Sequence, residues 1–351
     1  YPGKLTQFLW NRFNAFDGDP TKGLIIMPCE LIFLNGHHLK DCIRKYIELW
    51  TPDFGEKAQA FSEWFEKYNY VCATLVDRIV PGFPRKDIVE IQNKIGYKDN
   101  LVVQAEIFHL WVIEKAENMT CEELRKEFPA DQAGLHVLIA ESEAPYHERK
   151  VTLLNGPHTV LSPVAYLSGI NIVRDALHDP VVGPYIKKVQ YDELMQTLNL
   201  PMEELQKFAA DVLERFDNPY VEHQVTTVMR TSFPKFQARD LPGVKVYLER
   251  KGELPKGLVL GLAAIITYYK GGTRADGAPI QPNDDQKIMD LLTQLWATGD
   301  TRKVAEGVLA ADWIWGEHGD LNTIPGLTDM VEGFLNDIAS KGMIETVKSI
   351  L

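Results

Sequence analysis

The order of hydrophobic and polar residues divides the chain into two parts. In the first part, helical spacing of apolar residues alternates with short apolar runs that are typical of strands. Helices are predicted over residues 4–16, 38–50 and 57–68, and strands over residues 23–28, 70–76, 102–114 and 135–140. The run at residues 23–28 is continuously apolar, as expected of a parallel strand that is buried on both faces.

From residue 145 onward the spacing of apolar residues is helical throughout. Helices are predicted over residues 146–155, 158–168, 180–198, 201–216, 219–230, 241–251, 255–269, 284–297, 301–309 and 327–341. Strands mixed with helices, followed by helices alone, indicate two domains. The chain is therefore predicted to be mainly helical, with an α/β domain over residues 1–142 and an all-helical domain over residues 143–351.

Composition and charge exclude several classes of partner. The formal net charge of −12 argues against nucleic acid or an anionic membrane as the main partner. No apolar run reaches about 18 residues, so no membrane span is expected. Four cysteines without C-x-x-C spacing fit free thiols in a reducing cytoplasm. No metal site is expected, because His37 and His38 are adjacent and no H-x-x-x-H spacing occurs.

A lysine, an asparagine and a histidine lie within nine residues near the start of the second part. On an ideal helix at about 100° per residue, Lys150, Asn155 and His158 fall within an arc of roughly 140°. Gly156 and Pro157 interrupt this segment, and proline inside a helix removes a hydrogen bond. A kink is therefore expected at Gly156-Pro157, with His158 opening a new helical turn.

These three side chains suit the reversible reduction of a ketone. A lysine can transfer a proton if its pKa is brought toward neutrality, and an amide can donate to an oxygen that gains negative charge. A histidine can hold a hydroxyl or a carbonyl of the substrate. The alternative is that Lys150 is a solvated surface residue, Asn155-Gly156 a turn and His158 a residue at a helix start.

This segment resembles the signature of the long-chain polyol and hexuronate dehydrogenase family, which includes mannitol 2-dehydrogenase. Other segments resemble the family in the same order, at residues 29–36, 74–80, 216–220 and 235–236. The resemblance covers nearly the whole chain. It implies that Lys150 is the general acid/base and that Asn155 and His158 bind the reacting oxygen.

The resemblance also implies a fold and a cofactor. Family members place an all-helical domain behind a Rossmann-type NAD-binding domain, so residues 1–142 are expected to be the remaining part of that nucleotide domain. Lys150 would then lie at the junction, where a cleft would hold NAD and substrate. No G-x-G-x-x-G turn occurs, so the chain is expected to begin after the phosphate-binding loop. The cofactor-binding residues and the choice between NAD and NADP stay open.

Within the family, residues 1–6, 28–32, 74–80 and 148–150 resemble the branch that reduces tagaturonate to altronate. Two positions depart from the mannitol-type pattern, with Leu31 in place of an oxyanion asparagine and Thr227 in place of a substrate arginine. The resemblance therefore implies reduction of a small sugar acid. The alternatives are fructuronate or a neutral polyol such as mannitol as substrate, or a catalytically silent helical fragment without the phosphate loop.

A sugar acid must be captured by local positive charge in this acidic protein. Arg78 follows a predicted strand and could bind a carboxylate with two parallel hydrogen bonds. Asp77 beside it could orient the substrate or hold the catalytic lysine, with a structural ion pair as the alternative. Lys235 matches a family lysine near the substrate, and Arg239 and His223 are further candidates for the carboxylate. A homo-oligomer stays open.

Overall fold

In the computed structural model, which describes residues 1–80, 83–220 and 222–351, the chain forms two compact units, Tyr1–His147 and Glu148–Leu351. Within this described part, all strands belong to the first unit, and the second unit is helical apart from isolated bridges. The predicted fold class, an α/β part followed by an all-helical part, is confirmed. The predicted division after residue 142 lies close to the division between the units.

The first unit combines helices with two small sheets. Its helices are α1 (Pro2–Ala15), α2 (Asn35–Leu49), α3 (Thr51–Phe54), α4 (Ala58–Tyr68), α5 (Ile88–Ile95) and α6 (Cys121–Glu127). Its strands are β1 (Ile25–Ile26), β2 (Tyr70–Val71), β3 (Ala73–Asp77), β4 (Leu110–Glu114) and β5 (Val137–Ala140). Strands β1 and β2 are parallel, whereas β4 lies between β3 and β5, antiparallel to β3 and parallel to β5.

Two predicted strands differ from the structure. The buried strand expected at residues 23–28 is reduced to β1, whose two residues are only half-buried. Residues 102–109 do not extend β4, because Glu106 bonds the main chain of Ile79 instead. The N–H of Glu106 donates to the Ile79 oxygen at 3.0 Å, and its carboxylate accepts from the Ile79 N–H at 2.6 Å. Hydrogen bonds to the loop after β3 thus replace part of the hydrogen-bond ladder that was expected for the longer strand.

The amphipathic helices α1, α2 and α4 enclose an aromatic core. Trp10 stacks on Phe54 with 4.3 Å between ring centroids, and Phe61 lies edge-on to Trp10 at 5.3 Å. Such offset and edge-on pairs add to the free energy gained by burying the rings. Of these rings, Phe61 of α4 and Phe54 of α3 are buried, and Trp10 of α1 is half-buried.

From Ala144 onward the chain is almost entirely helical. The helices are α7 (Ala144–Lys150), α8 (Gly156–Leu167), α9 (Val173–His178), α10 (Val182–Lys187), α11 (Met202–Phe216), α12 (Val225–Val228), α13 (Ser232–Arg239), α14 (Leu241–Lys251), α15 (Lys256–Tyr268), α16 (Gln286–Ala297), α17 (Thr301–Leu309), α18 (Asp312–Trp315), α19 (Leu327–Lys341) and α20 (Met343–Lys348). None of the helices in the described ranges is long and apolar enough to cross a membrane.

Helices α8 and α15 form the core of the second unit. Every residue of α8 is buried, and so is α15 from Gly257 to Ile266. The two helices approach so closely that a Cβ atom at Gly261 would lie 2.3 Å from the Cβ of Val160. Glycine is therefore required at this crossing, and the position of α8 depends on it.

Two predicted helices of the second unit are interrupted. The helix expected at residues 180–198 consists of α10, a π-helical turn over Lys188–Glu193 and a 3₁₀ turn over Leu194–Thr197. The helix expected at residues 219–230 is reduced to α12. Residues 222–224 are not helical, because the main chain around His223 exchanges hydrogen bonds with residues 171–173. In the second of these segments, tertiary hydrogen bonds override helix propensity.

The π-helical turn ends on Glu193, whose carboxylate binds the first turn of α15. It accepts from the main-chain N–H groups of Gly257 at 2.7 Å and Leu258 at 2.9 Å. These are among the N–H groups that a helix leaves without internal partners. Burial raises the pKa of Glu193 to about 7, although both hydrogen bonds act in the opposite direction.

We expect Glu193→Gln to make the free energy of unfolding less dependent on pH. Because the pKa is raised from 4.5 to about 7 on folding, the folded protein binds more protons than the unfolded chain within that window. The contribution of Glu193 to stability is therefore present at low pH and falls as pH rises through about 7. Urea unfolding at a series of pH values should show a shallower fall in the variant.

The matched control is Glu249→Gln, which changes an exposed carboxylate on α14. Its free energy of unfolding should follow the same pH dependence as that of the wild type. Equal slopes for wild type and Glu193→Gln would show that Glu193 does not titrate in this window.

Candidate active site

The segment predicted to carry the chemistry passes from α7 to α8 through a π-helical turn, Val151–Asn155. The N–H of Gly156 donates to the carbonyl oxygen of Val151, five residues back. Pro157 has no N–H to offer the oxygen of Leu153, and the side-chain amide of Gln190 donates to that oxygen at 2.9 Å. The expected kink is therefore a widened turn, and α8 begins at Gly156 rather than at His158.

The π-helical turn brings the three predicted catalytic residues closer in direction. A turn closed by bonds to the fifth residue back holds about 4.4 residues, or roughly 80° per residue. Asn155 then points about 40° away from Lys150, and His158, three α-helical residues later, returns to within about 20° of Lys150. With ideal turn geometry the three positions would share an arc of about 60°, much narrower than an ideal α-helix provides.

His158 is a buried, neutral imidazole, with 7% of its surface exposed. Its ring stacks on Phe216 with 4.0 Å between centroids and meets the edge of the His223 ring at 4.9 Å. Burial, and then the neighbouring basic groups, lower the pKa of His158 well below its ordinary value. Its Nε2 atom has no hydrogen-bond partner among the described residues. A neutral ring of this kind can bind a hydroxyl or a carbonyl oxygen.

Basic side chains from three elements surround this histidine. Those whose charge lowers its pKa are His223, Arg239, Arg215 and Lys235. The guanidinium of Arg239 donates to the hydroxyl of Thr159 on α8 at 3.2 Å. Burial lowers the pKa of Arg239 and that of His223. Basic groups are therefore concentrated around His158, although the chain as a whole is acidic.

Lys235 is held rigidly by the turn that precedes α13. Its ammonium group donates to the main-chain oxygens of Val228 at 2.7 Å and Arg230 at 2.5 Å. Thr231 in this turn has a positive φ of 54°, a strained conformation for a β-branched residue. Burial, followed by the nearby Arg239, lowers the pKa of Lys235. An ammonium group has three N–H donors, so one remains for a ligand.

Lys150 and Asn155 lie at the two ends of the π-helical turn and are both half-buried. Arg149, beside Lys150, is buried, forms an ion pair with Glu204 and lies 4.4 Å over the ring of Phe208. These contacts fasten the end of α7 to α11. The backbone that carries Lys150 is thereby fixed before the turn begins.

The remaining predicted residues lie in the first unit. Asp77 is buried at the end of β3, and the exposed Arg78 donates through Nε to the main-chain oxygen of Glu106 at 2.9 Å. Six of the eight predicted site residues thus belong to the second unit, and these two belong to the first. Their roles stay predictions.

The segment at residues 29–36 also lies in the first unit, and its contacts explain why Asn35 and Gly36 are needed there. The side-chain amide of Asn35 donates to the main-chain oxygens of Pro28, Glu30 and Thr74, and its oxygen accepts from the Thr74 N–H. A Cβ atom at Gly36 would lie 2.0 Å from the oxygen of Cys72. The loop is therefore fastened to β3.

Both departures from the mannitol-type pattern lie at exposed positions. Leu31, in the fastened loop, is 87% exposed, and Thr227 is exposed on α12. Neither residue is buried in the core of its unit, so packing does not dictate the identity of either side chain. The differences at these positions remain compatible with a change of substrate.

Three residues of this region were not predicted from the sequence. Arg215 directly precedes the Phe-Asp-Asn-Pro segment, so the family motif held a signal for it. Gln190 and Asp240 lie far from the motif in sequence and gave no local signal. Asp240 is fully buried, neither of its carboxylate oxygens has a hydrogen-bond partner within the described ranges, and burial raises its pKa well above the usual range.

Comparison with known proteins identifies the family. A model of the mannitol dehydrogenase Rossmann domain matches residues 1–126, and a model of the mannitol dehydrogenase C-terminal domain matches residues 144–339. The chain belongs to the mannitol dehydrogenase family. The expected order of a Rossmann domain followed by a helical domain is confirmed.

Curated relatives in this family carry the name altronate oxidoreductase. The protein of Phocaeicola vulgatus is 70% identical over 351 residues, which are 100% of this chain and 71% of the relative. The protein of Bacillus subtilis is 41% identical over 345 residues, which are 98% of this chain and 68% of the relative. The similarity therefore extends over essentially the whole length of the chain.

Two solved structures share the fold at low sequence identity. Mannitol 2-dehydrogenase of Pseudomonas fluorescens, in a ternary complex with NAD and D-mannitol, has a TM-score of 0.66 and 22% identity, covering 93% of this chain and 62% of that one. A D-sorbitol dehydrogenase in substrate-free form has a TM-score of 0.78 and 21% identity, covering 97% of this chain and 65% of that one. The chain thus spans less than two thirds of either solved protein.

Proposed function

We propose that this protein interconverts altronate and tagaturonate with NAD as the hydride carrier. The observation that supports the sugar-acid substrate is the set of basic groups around His158, in a chain whose net charge is −12. A neutral polyol would not need this charge, whereas a carboxylate gains charge-assisted hydrogen bonds from it. Relatives that are 70% identical over the full chain are named altronate oxidoreductase, which supports the same substrate.

The donor set fits hydride transfer to a ketone. Adding a hydride to the carbonyl carbon leaves an alkoxide, which needs hydrogen-bond donors and a proton. Asn155 and His158 supply the donors, and Lys150 delivers the proton, or removes it when altronate is oxidised. When bound, the cofactor would supply the hydride as NADH for reduction of the ketone and accept it as NAD⁺ when altronate is oxidised.

The carboxylate of the substrate is assigned to the basic groups beside His158. Lys235 is the main candidate, because two of its three N–H donors fix it to the main chain while the third is available. Arg239 and His223 flank it from α13 and from the segment before α12. Holding the carboxylate rigidly would place the ketone against Lys150, Asn155 and His158, since positioning contributes much of the lowering of a barrier.

The test compares substrates in wild type and in Lys235→Met, by following NADH absorbance with tagaturonate, fructuronate and fructose in the full-length protein. Wild type should show the highest kcat/KM with tagaturonate. Lys235→Met should raise KM for tagaturonate about 10- to 100-fold, because a hydrogen bond to a charged group is lost, and leave fructose turnover nearly unchanged.

Lys251→Met on the exposed end of α14 is the matched control and should leave every constant unchanged. A preference for fructose would contradict the proposal and indicate a mannitol-type enzyme. A preference for fructuronate would keep the sugar-acid site and change the substrate. An unchanged KM for tagaturonate in Lys235→Met would assign the carboxylate to other side chains.

A further inference from the structure

We propose that Gln190 is a positioning residue of the reaction, because its side-chain amide maintains the π-helical turn that directs Lys150, Asn155 and His158 to one side. This inference rests on the proposed function, in which those three side chains act on the same oxygen. Gln190 itself is fully buried and lies outside the motif in sequence. Its contribution would come through the backbone of the turn.

The carbonyl oxygen of Leu153 lacks the main-chain donor that an α-helical register would give it. In that register it would accept from the N–H of the fourth residue onward, and that residue is Pro157. Leu153 is fully buried, so solvent water does not replace the missing donor. The amide of Gln190 does so at 2.9 Å. A buried carbonyl without a donor would be unfavourable, which gives this side chain a specific structural task.

Gln190 is itself fixed by the core of the second unit. It lies in the π-helical turn Lys188–Glu193, whose last residue binds the N-terminus of α15 through two main-chain hydrogen bonds. Tyr185, one turn earlier, donates to the oxygen of Gly257 at 3.0 Å. The amide that holds the catalytic segment is thus attached to α15, one of the two core helices of the unit.

The end of the turn is also closed by side chains that pack against Gly156. A Cβ atom at this position would lie 2.9 Å from a carboxylate oxygen of Asp240 and 3.0 Å from a methyl group of Leu194. The backbone at Gly156 is therefore enclosed by side chains as well as held by the Gln190 hydrogen bond. Together these contacts select one conformation of the turn.

Losing the Gln190 hydrogen bond would free the turn to adopt other helical registers. In α-helical geometry Asn155 would point about 140° away from Lys150, compared with about 40° in the π-helical turn. The side-chain amide of Asn155 would then no longer point toward the substrate oxygen that receives the proton from Lys150. Misplacing a reacting group by about 1 Å can lower the rate about 10²-fold.

Gln190→Leu tests this proposal, with Gln196→Leu as the matched control. Gln196 also donates its side-chain amide to a main-chain oxygen, that of Tyr191 at 3.1 Å, but outside the catalytic segment. Gln190→Leu should lower kcat about 10- to 100-fold with KM changed less than about twofold, and should shift the pH profile of kcat. Hydrogen exchange should accelerate in residues 151–158 and not across the whole unit. Gln196→Leu should show none of these changes.

Pro157→Ala provides a rescue, because it restores a main-chain N–H where Leu153 needs a donor. The double variant Gln190→Leu/Pro157→Ala should recover most of the lost kcat and the slow exchange of residues 151–158. Failure of the rescue, unchanged kcat and exchange in Gln190→Leu, or an equal loss in Gln196→Leu would each overturn the proposal.

The same measurements separate this inference from the proposed function. If wild type turns over fructuronate or fructose rather than tagaturonate, the proposed substrate is wrong, and the Gln190 comparison is made with the accepted substrate. If wild type turns over none of them, hydrogen exchange decides. Selective acceleration in residues 151–158 of Gln190→Leu supports the role of Gln190, and unchanged exchange overturns it.

Discussion

Lys150→Ala is expected to lower turnover with tagaturonate and NADH by about 10²- to 10⁴-fold, the range that a positioned proton donor usually contributes. The alkoxide formed by hydride transfer must be protonated, and ideal π-helical geometry would direct Lys150 to the same side as the two side chains that are proposed to hold the oxygen. KM should change little, because the carboxylate is assigned to Lys235 and its neighbours. Steady-state NADH absorbance with the full-length protein measures both constants.

Two controls make this result specific to proton transfer. Lys207→Ala removes an exposed lysine on α11 and should leave turnover unchanged. Small primary amines added to Lys150→Ala should restore part of the activity, since they can enter the space of the missing side chain and donate a proton. Turnover equal to that of wild type would rule out the proton-transfer role of Lys150.

Gly261→Ala is expected to destabilise the second unit by about 1–3 kcal/mol, the usual cost of overpacking a core. Its Cβ atom would lie 2.3 Å from the Cβ and 2.5 Å from a methyl group of Val160, so α8 and α15 would have to move apart. Because α8 carries His158 two residues before Val160, turnover should fall as well. Chemical denaturation measures the first effect and NADH absorbance the second.

The matched control is Gly333→Ala, at a helical glycine of α19 where a Cβ atom would have no neighbour within 4 Å. This change should stabilise the protein by about 0.5–1 kcal/mol, because glycine in a helix loses more conformational entropy than alanine. If Gly261→Ala were as stable as wild type, the close crossing of α8 and α15 would not limit side-chain size.

Local patterns in the sequence were sufficient for several parts of this protein. The amphipathic helices α1, α11 and α19 follow the apolar spacing of their own residues, since a helix buries the side that carries its hydrophobic side chains. The change from mixed elements to helices alone predicted the fold class. The Lys150–His158 motif supplied the reaction class through its resemblance to a known family.

Other features depend on residues that are distant in the sequence. Residues 222–224 of the helix predicted over residues 219–230 are not helical, because the main chain around His223 bonds residues 171–173, which local spacing does not reveal. Likewise, Glu106 bonds Ile79, so the strand predicted from residue 102 begins only at Leu110. In both cases long-range hydrogen bonds outweigh a propensity that is worth less than about 1 kcal/mol per residue.

The candidate site likewise depends partly on local sequence and partly on residues that are distant in the sequence. Its residue types and their spacing, Lys150, Asn155 and His158, are visible in the sequence and indicate proton transfer and oxygen binding. Their common direction is not, because an ideal helix spreads them over about 140° and a π-helical turn over about 60°. That turn exists because Pro157 removes a local donor and Gln190, brought close only by folding, replaces it.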